Sequence, residues 1–551
     1  MSRPLLPLGD ALTQFVIEAT CGTLVADALL EMWGAASAAV TAFHPECSLG
    51  NAPRLEAVLD EVSRVQFRSR TSEFDFLSGF AAFGRAPFNS NHAAVASLLL
   101  DGTSVVTTNF DTCIESAFEA MTGRRLVQDS RMPLVFHDTK SGSQVFHVHG
   151  VATDVGSLLT TVARIKGGLP EPSARVLGLL LDGAEVTFLG YSMSDSFDIT
   201  PHFTPRRYPS ASALFVQHGH GSVPPSVLRV LKAFGVSRSI QADTDAFLGT
   251  LAGAVGSPTT PAKAIYDWRG EFNSAARVAG LEQVSGLLVL GIADLVGVSP
   301  LLLAPDAMKR SRRAIRALGS DFYHLRMAIA SDALENRRAS WRHRHARTTL
   351  TRQDWASYRR HYGIAARRAE GVMPLEELEV ISGTSGSIGW PYYISLSHYA
   401  QELLRPYLEG RSGSVGFADA GMASRVASVA RALANRGLHN VDWVNQAAMA
   451  QRRGWMVGAI TGELPDEEEE KATVQLYCDN ASVAGCFGAI RDGALARVVY
   501  SRVTGDVSVL PEARRRWRIA CEIEAAVHHS PHFARMLRAY GRLPEFSMTT
   551  R

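Results

Sequence analysis

Residues 104–121, SVVTTNFDTCIESAFEAM, decide the fold, because an apolar run typical of a strand leads directly into a helical pattern. Two further strand-like runs follow, SQVFHVHG at 143–150 and AEVTFLGYS at 184–192, and SALFVQHG at 212–219 has the same character. Strands that alternate with helical patterns are typical of βαβ units with a parallel sheet. The sequence therefore predicts an α/β fold in the first half of the chain, with helices flanking the sheet.

Polar clusters end three of these strands: TTNFD at 107–111, HVHG at 147–150 and GYSMSD at 190–195. In open parallel sheets, ligands bind at the carboxyl ends of the strands. A single ligand at that edge of the sheet could touch all three clusters. We therefore expect the functional site there.

Length and composition bound the protein class. At ~150 residues per domain, the 551 residues predict about two to four domains. Hydrophobic residues make up 46% of the chain and charged residues 20%, values that exclude disordered, collagen-like and coiled-coil chains. The formal net charge is +2, so no global field marks the chain as a binder of nucleic acid or membrane surfaces.

Cysteine usage and hydropathy favour a cytoplasmic protein. The six cysteines are scattered without a CxxC pair, which argues against a disulfide framework and a structural zinc site. The N-terminal sequence lacks the continuous apolar core of a secretory signal. The most apolar window, residues 287–303, is interrupted by Asp294 and Pro300, and it is shorter than the ~20 residues that a membrane span requires. We expect no metal and no membrane partner.

The second half of the chain has a different character. The stretch GSPTTPA at 256–262 is typical of a linker, and helical periodicity with aromatic and small apolar residues follows it. We therefore predict an α/β domain at 1–255, a linker at 256–262 and an all-α sensor or assembly region at 263–551. No repeat of fixed period stands out, although paired helices of tetratricopeptide type stay an option.

One local charge feature lies at 309–368, which contains 16 Lys or Arg and four acidic residues, with tryptophans and tyrosines interleaved. Such surfaces can stack on bases and grip phosphates. The simpler explanation is a solvated arginine face, because the whole chain uses 50 Arg and only six Lys. Nucleic-acid binding is therefore not favoured.

Taken together, residues 89–120, 145–161 and 186–203 resemble the sirtuin-like family, specifically its bacterial zinc-free branch associated with antiphage defence. The order and spacing of the three pieces match that branch across roughly residues 5–220. The resemblance implies a Rossmann-like fold that binds NAD⁺ as its substrate.

The resemblance also implies roles for individual residues. Asn109 of TTNFD would orient the ribose or the attacking water, and Asp111 would support that loop and the nicotinamide end. His149 of HVHG would be the general base, and an imidazole with a pKa near 6.5 accepts a proton at neutral pH. Taken alone, Asn109 could instead be a helix N-cap, with Asp111 in the first helical turn.

The remaining candidates line the expected dinucleotide site. By resemblance, Gly190 and Ser192 would lie close to the dinucleotide, and Asp195 would hold a ribose hydroxyl or the loop. Ser192 and Asp195 could instead form a turn and a cap. His147, on the opposite strand face from His149, is expected to be structural or partly exposed, and His92 a packing or capping residue.

The sequence departs from the family in two places. The family's deacylases carry two CxxC pairs that bind zinc, and their absence here disfavours protein deacylation. The family also opens with a strand and a GAG-type loop whose N–H groups receive the pyrophosphate. Residues 4–19 resemble the stretch after that loop. Either the loop is encoded upstream of Met1 or the chain has lost its phosphate cradle.

The expected activity is therefore hydrolysis of NAD⁺ to nicotinamide and ADP-ribose, in an antiphage effector with a helical region. A phage-derived or protein trigger and a homo-oligomer are the expected partners. Two alternatives stay open. One is an ADP-ribosyl transferase or deacylase that uses the same ribose chemistry. The other is a catalytically degenerate scaffold or nucleotide-binding module.

Overall fold

The computed structural model describes residues 6–7, 9–47, 49–68, 74–165, 168–191, 193, 199–218, 223, 225–255, 266–281, 288–289, 291–292, 373–383, 390–408, 420–437, 444–479, 482–527, 537–538 and 540–546. Contacts divide the chain into two units: an α/β unit from 1–20 and 55–282, and a helical unit from 21–54 and 283–551. The predicted linker at 256–262 and the basic segment at 309–368 lie outside the described residues. The predicted domain ranges stay predictions.

The α/β unit alternates helices and strands. Its helices are α1 (Gly9–Cys21), α3 (Leu55–Arg68), α4 (Phe74–Leu77), α5 (Ser90–Leu100), α6 (Cys113–Thr122), α7 (Val162–Ile165), α8 (Glu171–Leu181), α9 (Pro225–Leu231), α10 (Thr244–Val255) and α11 (Trp268–Val278). Its strands are β1 (Val105–Thr107), β2 (Val127–Asp129), β3 (Met132–His137), β4 (Gln144–His147), β5 (Glu185–Leu189), β6 (Tyr208–Gln217) and β7 (Phe234–Gln241). The predicted α/β fold with flanking helices and a following helical region is confirmed.

Strand pairing forms two sheets within the described residues. One has the order β1-β4-β3-β2, in which β1 and β4 are parallel while β3 pairs antiparallel with both β4 and β2. The other is the parallel sheet β5-β6-β7. Unlike the single parallel sheet expected from the sequence, the structure contains an antiparallel β2–β3 hairpin and places β5 in a separate sheet.

Helix α5 packs against both sheets. Ala96 and Leu99 of α5 belong to a buried cluster with Val145 of β4. Ala94 belongs to a second cluster with α10, against which Leu189 of β5 packs. A third cluster joins side chains of β3 and β4 to those of β5, β6 and β7. The two sheets are therefore joined by side-chain packing.

Local hydrogen bonds define where α5 begins. The Asn89 carboxamide oxygen accepts the backbone N–H groups of Asn91 and His92 at 3.0 and 3.1 Å. His92 Nδ1 in turn accepts the N–H of Asn89 at 3.1 Å, which completes a capping box. The expectation that His92 is a capping residue is confirmed.

An aromatic cluster holds α11 within the α/β unit. The Phe272 ring lies 5.0 Å from that of Phe80 and 6.1 Å from that of Phe15 in α1, and Trp268 contacts Phe15 at 4.9 Å. Gly79 allows this approach, because a Cβ there would lie 2.9 Å from Phe272 Cδ1. Helix α11 therefore packs with the elements that precede the predicted linker.

The helical unit contains α2 (Thr23–Phe43), α12 (Leu375–Ser382), α13 (Trp390–Leu408), α14 (Ala420–Gly437), α15 (Val444–Gly458), α16 (Glu467–Asp479), α17 (Val483–Thr504) and α18 (Leu510–Val527). Within the described residues, α2 is long and apolar enough to cross a membrane by length and composition alone. Its Trp33 is fully buried, and the Arg516 guanidinium of α18 lies 4.9 Å from the Phe43 ring. These contacts pack α2 against α18 within the helical unit.

Buried ion pairs and glycines shape the centre of this unit. Glu470 is buried and accepts two hydrogen bonds from Arg497, both at 2.8 Å. Tyr477 of α16 is buried against Gly485 of α17, where an added Cβ would lie 2.5 Å from the ring Cγ. Burial raises the pKa of Tyr477 to about 12. Close packing of α16 on α17 therefore depends on the glycine.

Candidate functional site

The TTNFD loop follows β1 and is held at several points. The Asn109 N–H donates to Thr107 Oγ1 at 3.0 Å, while the Asn109 residue is exposed. The carbonyl of Phe110 accepts the N–H of Ala152 at 2.7 Å. The Phe110 ring lies 5.4 Å from Phe80 in the aromatic cluster. The backbone of the loop is thus anchored while the Asn109 amide faces outward.

The HVHG segment ends β4 in a turn. His149 is half-buried, its ring lies 6.4 Å from that of Phe110, and its carbonyl accepts the N–H of Leu159 at 2.8 Å. Gly150 has a φ of +91°, and a Cβ there would lie 2.8 Å from the Cα of Leu158. Only glycine accepts this backbone conformation and this close approach without strain.

Strand pairing brings Asn109 and His149 to the same edge. In the parallel β1–β4 pair, Thr107 lies opposite His147, and the Val148 N–H donates to the Thr107 carbonyl at 3.0 Å. Asn109 and His149 each lie two residues beyond this matched pair. The predicted ribose-binding residue and the predicted base therefore sit at the carboxyl ends of neighbouring parallel strands.

Asp111 supports the TTNFD loop from its buried side. Its carboxylate is buried and accepts the N–H of Cys113 at 3.0 Å, where α6 begins. The same oxygen lies 4.0 Å from His92 Nε2. This placement suits the loop-supporting role implied for Asp111, whose contact with nicotinamide stays a prediction.

Of the candidate residues in the third polar cluster, GYSMSD, the structure describes Gly190, which lies at the end of a strand in the other sheet. Gly190 follows β5, is exposed and has a φ of +63°. Ser192 and Asp195 lie outside the described residues, so their predicted contacts with the dinucleotide stay predictions. Because β5 pairs with β6 and not with β1 in the described sheets, strand pairing does not place Gly190 beside Asn109.

His147 and Glu115 form a buried contact that the sequence does not predict. His147 is fully buried, and its Nε2 lies 2.7 Å from Oε1 of Glu115 in α6. Its Nδ1 lies 3.2 Å from the backbone carbonyl oxygen of Asn109. Sequence spacing could not reveal this contact, because Glu115 lies in α6 and His147 ends β4.

One cluster has the donor atoms of a metal site. The ligand atoms of His92, Asp111 and Cys113 lie within 4.8 Å of one another. All three residues already take part in hydrogen bonds. His92 and Asp111 accept the backbone N–H groups described above, and the Cys113 thiol donates to the Ala86 carbonyl at 3.6 Å. Burial and the charge of Asp111 both raise the pKa of Cys113, whereas burial lowers the pKa of His92 against the opposing charge of Asp111. A neutral thiol is a poor metal ligand.

We therefore expect the purified protein to contain no stoichiometric zinc, and chelators to leave its thermal stability unchanged. Elemental analysis of protein expressed in zinc-supplemented medium checks this. One tightly held zinc per chain would overturn the expectation, and its loss in a Cys113→Ser variant would assign the metal to this cluster.

Known proteins give one positive comparison. Searches of curated proteins and of solved structures return no match. A family model does match part of the α/β unit, including β1, β4, β5 and the Asn109 and His149 loops. Residues 103–204 match the SIR2-like domain, which supports the resemblance of this segment to the sirtuin-like family.

Proposed function

We propose that the protein is an NAD⁺ glycohydrolase, which cleaves the bond between nicotinamide and ribose and transfers the ADP-ribosyl group to water. The observation that carries this proposal is the position of Asn109 and His149 at the ends of two adjacent parallel strands. The match of this segment to the SIR2-like domain favours NAD⁺ as the substrate.

The chemistry divides between the two side chains. Departure of nicotinamide leaves an oxocarbenium-like centre on the ribose, which water attacks to give ADP-ribose and a proton. The exposed Asn109 amide can hydrogen-bond to a ribose hydroxyl and to water, and so hold both in line for attack. His149 accepts the released proton as general base.

Incubation of the full chain with NAD⁺ in H₂¹⁸O tests the proposal. We expect nicotinamide and free ADP-ribose in equal amounts, with one ¹⁸O at the anomeric carbon. ADP-ribose attached to protein, or ADP-ribose without the label, would indicate transfer to another acceptor. Binding of NAD⁺ without nicotinamide release would support the scaffold alternative.

In the cell, we propose that this activity belongs to an antiphage effector in the cytoplasm, in which the helical unit receives a trigger or assembles the protein. The resemblance described above supports this role. Cellular NAD⁺ measured before and after phage infection tests it. A fall confined to infected cells that carry an intact His149 is expected, and an equal fall in uninfected cells would remove the trigger from the proposal.

A further inference from the structure

We infer that the buried His147–Glu115 pair positions Asn109. The pair holds the backbone carbonyl of Asn109 and thereby orients its side chain toward the ribose. This inference rests on the proposed role of Asn109 in NAD⁺ cleavage. Nothing in the domain match assigns a role to either residue of the pair. His147 is a positioning residue and does not touch the substrate.

With Glu115 ionised, both imidazole nitrogens have to donate. A backbone carbonyl can only accept, so Nδ1–H donates to the Asn109 oxygen at 3.2 Å. Nε2 faces the Glu115 carboxylate at 2.7 Å, and an ionised carboxylate can also only accept. An ionised Glu115 therefore selects the doubly protonated, cationic imidazole.

The surroundings of the pair favour this cation. Burial opposes the charge, but the hydrogen bond and charge of Glu115, the Asn109 carbonyl and the charge of Asp111 together raise the pKa of His147. From β3, the ring that faces it is Phe136, which is not titratable and lies edge-on at 5.7 Å. The second oxygen of Glu115 is buried without a hydrogen-bond partner, so His147 is the hydrogen-bond partner of this carboxylate in the described part of the chain.

Deprotonation of His147 should break the contact to Asn109. The remaining proton would stay on Nε2, beside the ionised Glu115, and the lone pair of Nδ1 would then face the carbonyl oxygen of Asn109. Repulsion between the two acceptors would release the peptide group and turn the Asn109 amide away. We therefore expect kcat to fall as the pH rises through the raised pKa of His147.

The variant Glu115→Gln separates positioning from general stability. Its amide can donate to Nε2, so that a neutral His147 keeps its proton on Nδ1 and still donates to Asn109. We expect this variant to retain kcat near neutral pH within about 3-fold and to lose the alkaline decline. A His147→Gln variant supplies a donor to only one of the two acceptors, and its kcat should fall at least ~10-fold with KM little changed.

His137→Gln is the matched control, because His137 is a half-buried histidine on the neighbouring strand β3 and lies outside the proposed machinery. Its pH profile should be that of the unmodified protein. Thermal denaturation of each variant verifies that it is folded at the assay temperature. An alkaline decline that persists unchanged in Glu115→Gln, or an unchanged kcat in His147→Gln, overturns the inference.

A spectroscopic measurement keeps the inference separate from the proposed function. In protein labelled with ¹⁵N-histidine, both ring nitrogens of His147 should be protonated at neutral pH, and only Nδ1 in Glu115→Gln. If the unmodified chain releases no nicotinamide, the proposed function fails while this spectrum still decides the state of the pair. A single protonated nitrogen in the unmodified protein contradicts the arrangement inferred here.

Discussion

Replacement of His149 or Asn109 by alanine should lower nicotinamide release at least ~100-fold, the loss typical of a removed general base. Neither substitution opens a cavity in the core, because Asn109 is exposed and His149 is half-buried. The melting temperature should therefore change little. Initial rates at saturating NAD⁺, together with a thermal denaturation curve for each variant, measure the two effects.

The two substitutions remove different steps. Asn109→Ala retains the base but loses the amide that orients the ribose and the water, whereas His149→Ala retains that amide and loses the base. His137→Ala serves as the control for removal of a strand histidine and should retain full activity. Undiminished nicotinamide release by folded His149→Ala would remove His149 from the mechanism.

Substitution of Gly485 by alanine should destabilise the helical unit by about 3 kcal/mol or more. The added Cβ would overlap the ring of Tyr477, which is buried and cannot rotate away as a long flexible side chain could. Either the ring leaves its site or α16 separates from α17. Urea unfolding followed by tryptophan fluorescence should show the midpoint of the helical unit shifted to lower urea.

A double-mutant cycle identifies the cause. Tyr477→Ala removes the obstructing ring, so Gly485→Ala should cost much less in that background, with a coupling free energy of about 1–3 kcal/mol. Gly178→Ala in α8 is the matched control, since no atom lies within 4 Å of its added Cβ. That substitution should stabilise α8 by roughly 0.5–1 kcal/mol. Strict additivity in the cycle would show that the glycine acts through something other than the tyrosine.

The placement of Asn109 and His149 followed from the sequence for a physical reason. Alternation of strand and helix patterns predicts parallel neighbours, and parallel neighbours end at the same edge of a sheet. Two short polar motifs directly after such strands are therefore brought together whatever the details of the loops. The parallel β1–β4 pair confirms this placement.

Other features could not be predicted in this way. Periodicity shows where a strand lies but not which strand is its neighbour, so the β2–β3 hairpin and the separate β5-β6-β7 sheet were missed. The hairpin is also hard to predict from sequence because β2 has only three residues, too few to show a strand pattern. The contact of His147 with Glu115 joins residues of different elements, and sequence spacing carries no information on such a distance.

The packing of α5 affects how the two sheets of the α/β unit respond to cooling. Main-chain pairing within the described residues stops between β1 and β5, yet the buried side chains of α5 contact the clusters of both sheets. Cooperativity across this boundary is therefore carried by apolar surface and not by peptide hydrogen bonds. Such coupling weakens on cooling, as hydrophobic stabilisation does, so the two halves should become more independent in the cold.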